Sequence, residues 1–260
     1  MGPLSTHART RRLVLATCLA LGVAAACVRA PSAQALVWGG GFETGNLRQW
    51  SAAEALPGGV SLVHNPVRRG SWAARFVVRP GDRPIDSYGE RAELINDSHE
   101  RAGMTSWWAW STLFPDDFYT PPYSKLNVFA QWHAHHSTLK PNVSFTVINW
   151  GAGGPHLQLW VRGGDPASPT ELGWNLGDLQ RNRWYDFVLQ VRWSPDERGF
   201  VKLWINGKVA VPLTATPTLY PAGDEYVKQG LYRGPFDAES VVYQDAMRRG
   251  TSYASVVGRG

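Results

Sequence analysis

The sequence predicts an all-β sandwich made of two antiparallel sheets. After residue 35, nine short apolar or alternating runs follow one another, and no useful stretch shows the 3.6-residue period of an amphipathic helix. Turn signals rich in Gly, Pro, Asn and Asp separate the runs at the spacing typical of such sandwiches. The runs are residues 72–79, 106–113, 126–132, 142–149, 156–162, 184–193, 200–205, 226–232 and 240–247.

The run at residues 184–193 shows the two-residue period of a strand most clearly. Apolar side chains occupy every second position on one side, at Phe187, Leu189, Val191 and Trp193. Asn206-Gly207 after the next run suits a tight reversal between antiparallel strands. Residues 162–183, with two glycines and two prolines near their start, are predicted to form a long loop of the kind that borders a binding cleft.

The first 35 residues are predicted to be a secretory signal peptide. Arginines precede an apolar run at residues 13–26, which is too short to span a bilayer permanently, and Ala33-Gln34-Ala35 forms an A-x-A cleavage site. The pair Arg11-Arg12 leaves both twin-arginine and general export open. We therefore expect a single secreted, extracellular domain at residues 36–260 that is monomeric and has no stable membrane span.

Charge and cysteine content narrow the possible functions. Four of the 26 basic residues lie in the leader, which leaves 22 against 21 acidic residues, so the mature chain has no global attraction for nucleic acid. Both cysteines, Cys18 and Cys27, also lie in the leader. The mature chain can therefore have neither a disulfide nor a thiolate metal site.

Three short stretches place ionisable or amide side chains on one face of a predicted strand. Side chains two or four residues apart on a strand share a face. The stretches are Arg91-Ala-Glu93-Leu94, Gln131-Trp132-His133 and Tyr226-Val-Lys228-Gln-Gly-Leu-Tyr232. If the three faces meet, they bring together a cation, an amide, an imidazole and a phenol.

These groups suit β-elimination in a uronate polymer, in which a base removes the C5 proton and the glycosidic oxygen leaves C4. The negative carboxylate beside C5 must first be neutralised, for which Arg91 supplies a two-pronged charged contact and Gln131 an amide N–H. The imidazole of His133 has an unperturbed pKa of about 6.5, which suits a base that works near neutral pH. Tyr232 is the candidate that protonates the departing oxygen, or that both removes the C5 proton and donates one if the two atoms lie on one side of the ring.

The three stretches resemble, in order, the motif blocks of jelly-roll polysaccharide lyases, the group that includes alginate, glucuronan and heparin lyases. Further similarity lies at residues 41–45, 184–187, 193–195 and 243–245. The resemblance implies a concanavalin-like β-jelly-roll in which Arg91 and Gln131 face the substrate carboxylate. It also implies that His133 is the base, Tyr232 the acid and Lys228 a subsite contact.

The substrate is expected to be an anionic polysaccharide, and the binding set also includes Glu93, Tyr226 and His135. The third block ends in Tyr232-Arg-Gly where alginate lyases carry an Asn-Gln pair, which points away from alginate. We therefore expect glucuronan first, then alginate or a glycosaminoglycan. Trp132 stands where the family has a small aliphatic residue, so the packing behind the motif should differ.

Two other classes of protein remain as alternatives. A glycoside hydrolase needs two carboxylates across the cleft, but Glu90 and Glu93 are three residues apart and face opposite sides of a strand. A non-catalytic carbohydrate-binding module would use exposed tryptophans such as Trp107, Trp108 or Trp110. All 13 tryptophans follow the leader, and they suit either a sandwich core or sugar stacking.

The sequence predicts no required cofactor and no catalytic metal. His133 and His135 share a strand face, but two imidazoles without a third ligand are a weak metal signal. Glu43 and Asp245, near the two ends of the domain, would be able to share a structural calcium if the terminal strands pair.

Overall fold

The structure is a computed structural model that describes residues 1–2, 35–86, 88–124, 126–135 and 137–258. The predicted leader, apart from its first two residues and residue 35, lies outside the described residues. No helix in the described part of the chain has the length and apolar character needed to cross a bilayer.

Fifteen strands and one short helix make up the described secondary structure. They are β1 (Leu36–Gly39), β2 (Ala52–Glu54), β3 (Val60–Val63), β4 (Ala73–Val78), β5 (Glu90–Arg101), β6 (Thr105–Phe114), β7 (Asn127–Ala134), β8 (Val143–Asn149), β9 (Pro155–Gly163), β10 (Thr170–Asp178), β11 (Arg183–Arg192), β12 (Phe200–Ile205), β13 (Lys208–Ala215), β14 (Asp224–Arg233), β15 (Ser240–Gly250) and α1 (Tyr253–Val257).

The strands form two antiparallel sheets. One has the order β13-β12-β11-β6-β15-β4-β3, with β1 also paired to β15, and the other has the order β10-β9-β8-β7-β14-β5-β2. Three of the six neighbouring pairs in the second sheet, β7-β14, β14-β5 and β5-β2, join strands that are distant in sequence, which is typical of a jelly roll. The predicted all-β, concanavalin-like jelly-roll sandwich is confirmed.

Large aromatic rings fill the space between the sheets. Trp108, Trp110 and Trp132 are at most 1% exposed, and the ring of Trp110 stacks on Phe187 with centroids 5.0 Å apart. Two tryptophans considered for a binding module, Trp108 and Trp110, are therefore core residues. Trp132 fills the core behind its motif, so its neighbours Gln131 and His133 point to the opposite face of β7.

The prediction of a long loop at residues 162–183 was wrong, because strand β10 occupies the centre of this segment. In β10 the half-buried Leu172, Trp174 and Leu176 alternate with exposed residues, and Trp174 and Leu176 pack against the core. β10 is the edge strand of its sheet and pairs only with β9. The glycines and prolines before it mark a turn and not a long loop.

Candidate active site

A groove of about 590 Å³ crosses the seven-stranded sheet on the face turned away from the core. It is lined by side chains of β2, β5, β7 and β14 and by the segments at residues 85–86 and 137–141. Six of the residues predicted from the sequence line this groove: Arg91, Gln131, His133, Tyr226, Lys228 and Tyr232. The three motifs therefore meet at one place, as their shared faces predicted.

Strand register brings the groups together. On β14, Tyr226 lies opposite His133 of β7, and Lys228 lies opposite Gln131. On the other side of β14, Tyr232 lies opposite Arg91 of β5. β14 is thus the central strand of the site, with one motif on each side of it.

Two glycines allow close packing next to Tyr232. Gly230, with φ +147°, sits where the register between β14 and β7 shifts, and a Cβ there would lie 2.2 Å from the carbonyl oxygen of Ala92. A Cβ on Gly89 would lie 2.2 Å from Cε2 of the Tyr232 ring. A larger side chain at Gly89 would displace the phenol from the groove, and one at Gly230 would push β14 away from β5.

A buried glutamine of the opposite sheet supports the register shift. Gln244 of β15 donates from Nε2 to the carbonyl oxygens of Phe129 (2.7 Å) and Gly230 (3.0 Å). Its Oε1 accepts from Gln229 Nε2 at 2.6 Å and from Thr112 Oγ1 at 3.1 Å. Because buried carbonyl groups are costly to leave without a donor, Gln244 stabilises the backbone next to the site.

Glu93 holds two of the predicted catalytic groups from below the groove surface. Its Oε1 accepts from Gln131 Nε2 at 2.6 Å, and its Oε2 accepts from Arg91 Nη1 at 3.2 Å. Glu93 is only 1% exposed and does not line the groove, which corrects its predicted place as a substrate contact. Burial raises the pKa of Glu93 even though Lys228 and Arg91 oppose this effect.

Glu54 is a residue of the site that was not predicted from the sequence. On the short edge strand β2 it lies opposite Glu93, and its Oε2 accepts from Arg91 Nη1 at 2.9 Å and from Lys228 Nζ at 2.7 Å. Burial lowers the pKa of Lys228, but the charges of Glu93, Tyr226 and Glu54 outweigh it and raise that pKa overall. No motif surrounds Glu54, and only the pairing of β2 with β5 reveals its position.

The imidazole of His133 is held in one orientation. Its Nδ1 lies 2.9 Å from the carbonyl oxygen of Ala134, which fits the tautomer with its N–H at Nδ1. Burial, with a contribution from the charge of Lys228, lowers the pKa of His133 below its usual value. The imidazole is therefore neutral in the pH range where a general base must accept a proton.

The aromatic rings of the site pack closely. The ring centroid of Tyr226 lies 5.8 Å from that of His133 and 4.6 Å from that of His135. His135 lines an adjoining cavity of about 570 Å³ together with His99 and Asp224, and not the groove itself. The structure thus places His135 beside the site, one cavity away from the predicted acid and base.

Glu43 and Asp245, the predicted calcium ligands, stabilise the backbone of the loop at residues 68–72. Both oxygens of Glu43 accept backbone N–H groups, from Ser71 at 2.8 Å and Trp72 at 3.1 Å. Asp245 accepts backbone N–H groups on both of its oxygens as well. Both carboxylates thus stabilise the backbone of this loop, and a structural calcium at the pair stays a prediction. Among the described residues, no group of three or more His, Cys, Asp or Glu side chains is arranged for a metal.

Comparison with protein families identifies the class of protein. A family model described as polysaccharide lyase matches residues 42–248, which includes every residue of the groove discussed above. The chain therefore belongs to the polysaccharide lyase family, and it is a lyase, as the sequence resemblance implied. No match was found among curated proteins.

Several solved structures share the fold. An endo-β-1,4-glucuronan lyase of the fungus Trichoderma reesei aligns with a TM-score of 0.72 and 19% identity over 85% of this chain and 98% of that one. An alginate lyase of Pseudomonas aeruginosa aligns with a TM-score of 0.50 and 18% identity over 69% and 83%. The catalytic domain of a glycoside hydrolase family 131 protein of Coprinopsis cinerea has a TM-score of 0.58 and 14% identity over 85% and 97%.

Proposed function

We propose that the groove cleaves a uronate-containing polysaccharide by β-elimination. The observation that carries this proposal is the meeting of the imidazole of His133 and the phenol of Tyr232 with the cations of Arg91 and Lys228 in one groove. The similarity to a glucuronan lyase and to an alginate lyase supports a uronate polymer as the substrate.

The carboxylate of the reacting sugar binds at the positive side of the groove. Gln131 keeps one amide N–H on Glu93, and its second N–H is directed to the substrate carboxylate. Arg91 and Lys228 supply the positive charge that lowers the energy of the carbanion formed beside that carboxylate. Glu93 acts on the reaction only by holding Arg91 and Gln131 in position.

Proton transfer then completes the elimination. Nε2 of His133 accepts the C5 proton, and the electron pair of the C5–H bond forms the double bond between C4 and C5 as the bond from C4 to the glycosidic oxygen breaks. The hydroxyl of Tyr232 donates a proton to the departing oxygen. The products are a new reducing end and an unsaturated uronate, so no redox or organic cofactor takes part.

A panel of polymers tests this function. Glucuronan is the first member, followed by alginate, heparin and pectate, and the readout is the ultraviolet absorbance of the new double bond. We expect absorbance to rise on at least one polyuronate. Binding without absorbance on every polymer would instead indicate a carbohydrate-binding module.

A hydrolase is the second candidate because of the glycoside hydrolase among the similar folds. Asp86 lines the groove from a loop, and the carboxylates on the strands of the site are Glu54 and Glu93. The same nitrogen of Arg91 bonds both strand carboxylates, at 2.9 and 3.2 Å. They lie side by side on paired strands and do not face each other across a sugar, as hydrolysis requires. New reducing ends without the chromophore would favour hydrolysis.

Export and assembly form part of the same proposal. We expect residues 1–35 to be removed on secretion, so that the extracellular protein begins at Leu36, which N-terminal sequencing of the exported protein tests. The mature domain at residues 36–260 should be monomeric by light scattering. Chelation of calcium should leave the turnover rate unchanged.

A further inference from the structure

A second cavity continues the groove beyond Tyr232 on the same face of the sheet. Its volume is about 410 Å³. Five residues line both cavities, namely Leu126, Gln131, Lys140, Pro141 and Tyr232. A polysaccharide chain that lies in the groove therefore continues directly into this cavity, which we call the tryptophan subsite.

Aromatic and aliphatic side chains dominate the lining of the tryptophan subsite. Trp150 is 47% exposed there, and the half-buried ring of Trp160 stands above Gly173 of the edge strand. A Cβ on Gly173 would lie 2.7 Å from that ring, so the glycine makes the room that the indole needs. The indole nitrogen donates to Gln158 at 3.0 Å, which fixes the ring. A fixed indole suits the apolar C–H face of a pyranose.

Arg162 supplies the only guanidinium among the described lining residues of the subsite, and this group is bonded to other parts of the protein. Arg162 is 7% exposed and bonds Glu171 through Nη2 at 3.2 Å, with Nε 3.1 Å from the other carboxylate oxygen. Its Nη1 donates to Pro141 O at 3.2 Å and to Ser144 Oγ at 3.3 Å. Burial alone would raise the pKa of Glu171, but Arg162 and Lys140 hold it below its usual value, so this carboxylate stays charged. Protein oxygens thus lie within 3.3 Å of all three nitrogens of the Arg162 guanidinium, and Glu171 balances its charge.

A buried hydroxyl in the subsite lacks a partner. Thr146 of β8 is 5% exposed and lines the cavity, and its Oγ1 has no hydrogen-bond partner among the described residues. Because a buried hydroxyl is costly to leave unbonded, a rotation of the Thr146 side chain that turns this hydroxyl toward a sugar in the cavity would give it a partner. A sugar ring supplies such groups at its edge and an apolar face for Trp160.

We propose that the tryptophan subsite binds the sugar next to the reacting uronate by the apolar face of its ring and needs no carboxylate on that sugar. This inference rests on the proposed elimination. Tyr232 borders both cavities and protonates the departing oxygen, so the sugar in the subsite is the one that leaves as the new reducing end. The substrate class thereby includes polymers in which a uronate follows a neutral sugar, as well as homopolymers of uronate.

Partly carboxyl-reduced glucuronan tests this directly, because reduction turns a fraction of the glucuronate residues into glucose on an unchanged backbone. Products of exhaustive digestion are labelled at the reducing end and identified by mass spectrometry. We expect glucose at new reducing ends, in products that carry an unsaturated uronate at the other end. Unsaturated products whose reducing ends are all glucuronate would overturn the inference while leaving the proposed elimination intact. No unsaturated product on intact glucuronan or any other polyuronate would overturn the elimination itself.

Variants at the indole give a second test. Trp160→Ala should lower kcat/KM by about tenfold or more on both intact and reduced glucuronan, and Trp160→Phe should keep most of it. Trp204→Ala, which removes a half-buried tryptophan from the other sheet, is the matched control and should keep kcat/KM. If Trp160→Ala does not fold, Thr146→Val replaces it, with a rise in KM expected. Unchanged kinetics in a folded variant at either position would contradict the subsite.

Discussion

The guanidinium of Arg91 lies 3.9 Å from the centroid of the Tyr232 ring, directly across the pairing of β5 with β14. A cation over an aromatic face is attracted by the electrons of the ring, and the contact fixes both side chains. The group proposed to bind the substrate carboxylate thus also orients the group proposed to protonate the leaving oxygen. The proposed substrate binding and proton donation therefore depend on one pair of side chains in contact, Arg91 and Tyr232.

Removing only the hydroxyl of Tyr232 isolates its proposed chemical role. Tyr232→Phe keeps the ring that stacks on Arg91, so the fold and substrate affinity should change little. Loss of the proton donor should lower kcat by about 10² to 10⁴. Steady-state kinetics on the best polyuronate, with a thermal unfolding curve as the control, measure this effect. A variant with full kcat would remove Tyr232 from the role of acid.

Glu93 should be a positioning residue whose loss affects stability and activity together. In Glu93→Gln, an amide N–H faces the donor of either Arg91 or Gln131, so one buried donor loses its acceptor. We expect a stability loss of about 1 to 3 kcal/mol and a lower kcat/KM. Glu54→Gln, at the more exposed end of the same network, is the matched control and should cost less stability. Equal stability of Glu93→Gln and wild type would contradict this account.

The pH dependence of activity should reflect the buried imidazole. Because burial lowers the pKa of His133, the base stays neutral below its ordinary pKa of 6.5. The midpoint of the acid limb of kcat/KM should therefore lie below pH 6.5. Kinetics across a pH series check this, and an acid limb above pH 6.5 would mean that another group titrates.

Stability should fall as the pH rises, because Glu225 is buried opposite Glu100. Burial, with the charges of Asp224 and Glu100, raises the pKa of Glu225 from 4.5 to about 8. The folded state therefore holds a proton that the unfolded chain releases above 4.5, and the stabilisation is fully present only below that value.

Between those two pKa values the free energy of unfolding should decrease, by an amount on the order of a few kcal/mol. Denaturant unfolding at a series of pH values measures this trend. Asp245, with a pKa raised by burial to about 6, contributes in the same direction. Glu225→Gln mimics the protonated side chain and should flatten the profile, whereas an unchanged profile in this variant would assign the effect to other groups.

The central part of the site was predictable because its residues lie close together in the sequence. Gln131 and His133 share a face of one strand, and Tyr226, Lys228 and Tyr232 share a face of another, so the two-residue period alone predicts these groupings. The core position of Trp132 follows from the same alternation. Short-range pattern thus accounts for the motif residues of the groove.

The remainder depends on pairings between strands that are far apart in the sequence. Glu54 reaches the site only because β2 pairs with β5, and Gln244 only because β15 lies across the core from β7 and β14. Such pairings depend on the whole fold and carry no signature in a short stretch of residues. Edge strand β10 differs, because Leu172, Trp174 and Leu176 do alternate, but the glycines and prolines just before them favour a loop.

The most direct measurement of the central claim is a digestion of the best polyuronate in water enriched in ¹⁸O, with mass spectrometry of the products under conditions that limit exchange at the reducing end. Elimination breaks the glycosidic bond without water, so the products should carry an unsaturated uronate and no label from bond cleavage. Hydrolysis adds one water to each broken bond. Saturated products that carry ¹⁸O would show that the groove of His133 and Tyr232 does not perform elimination.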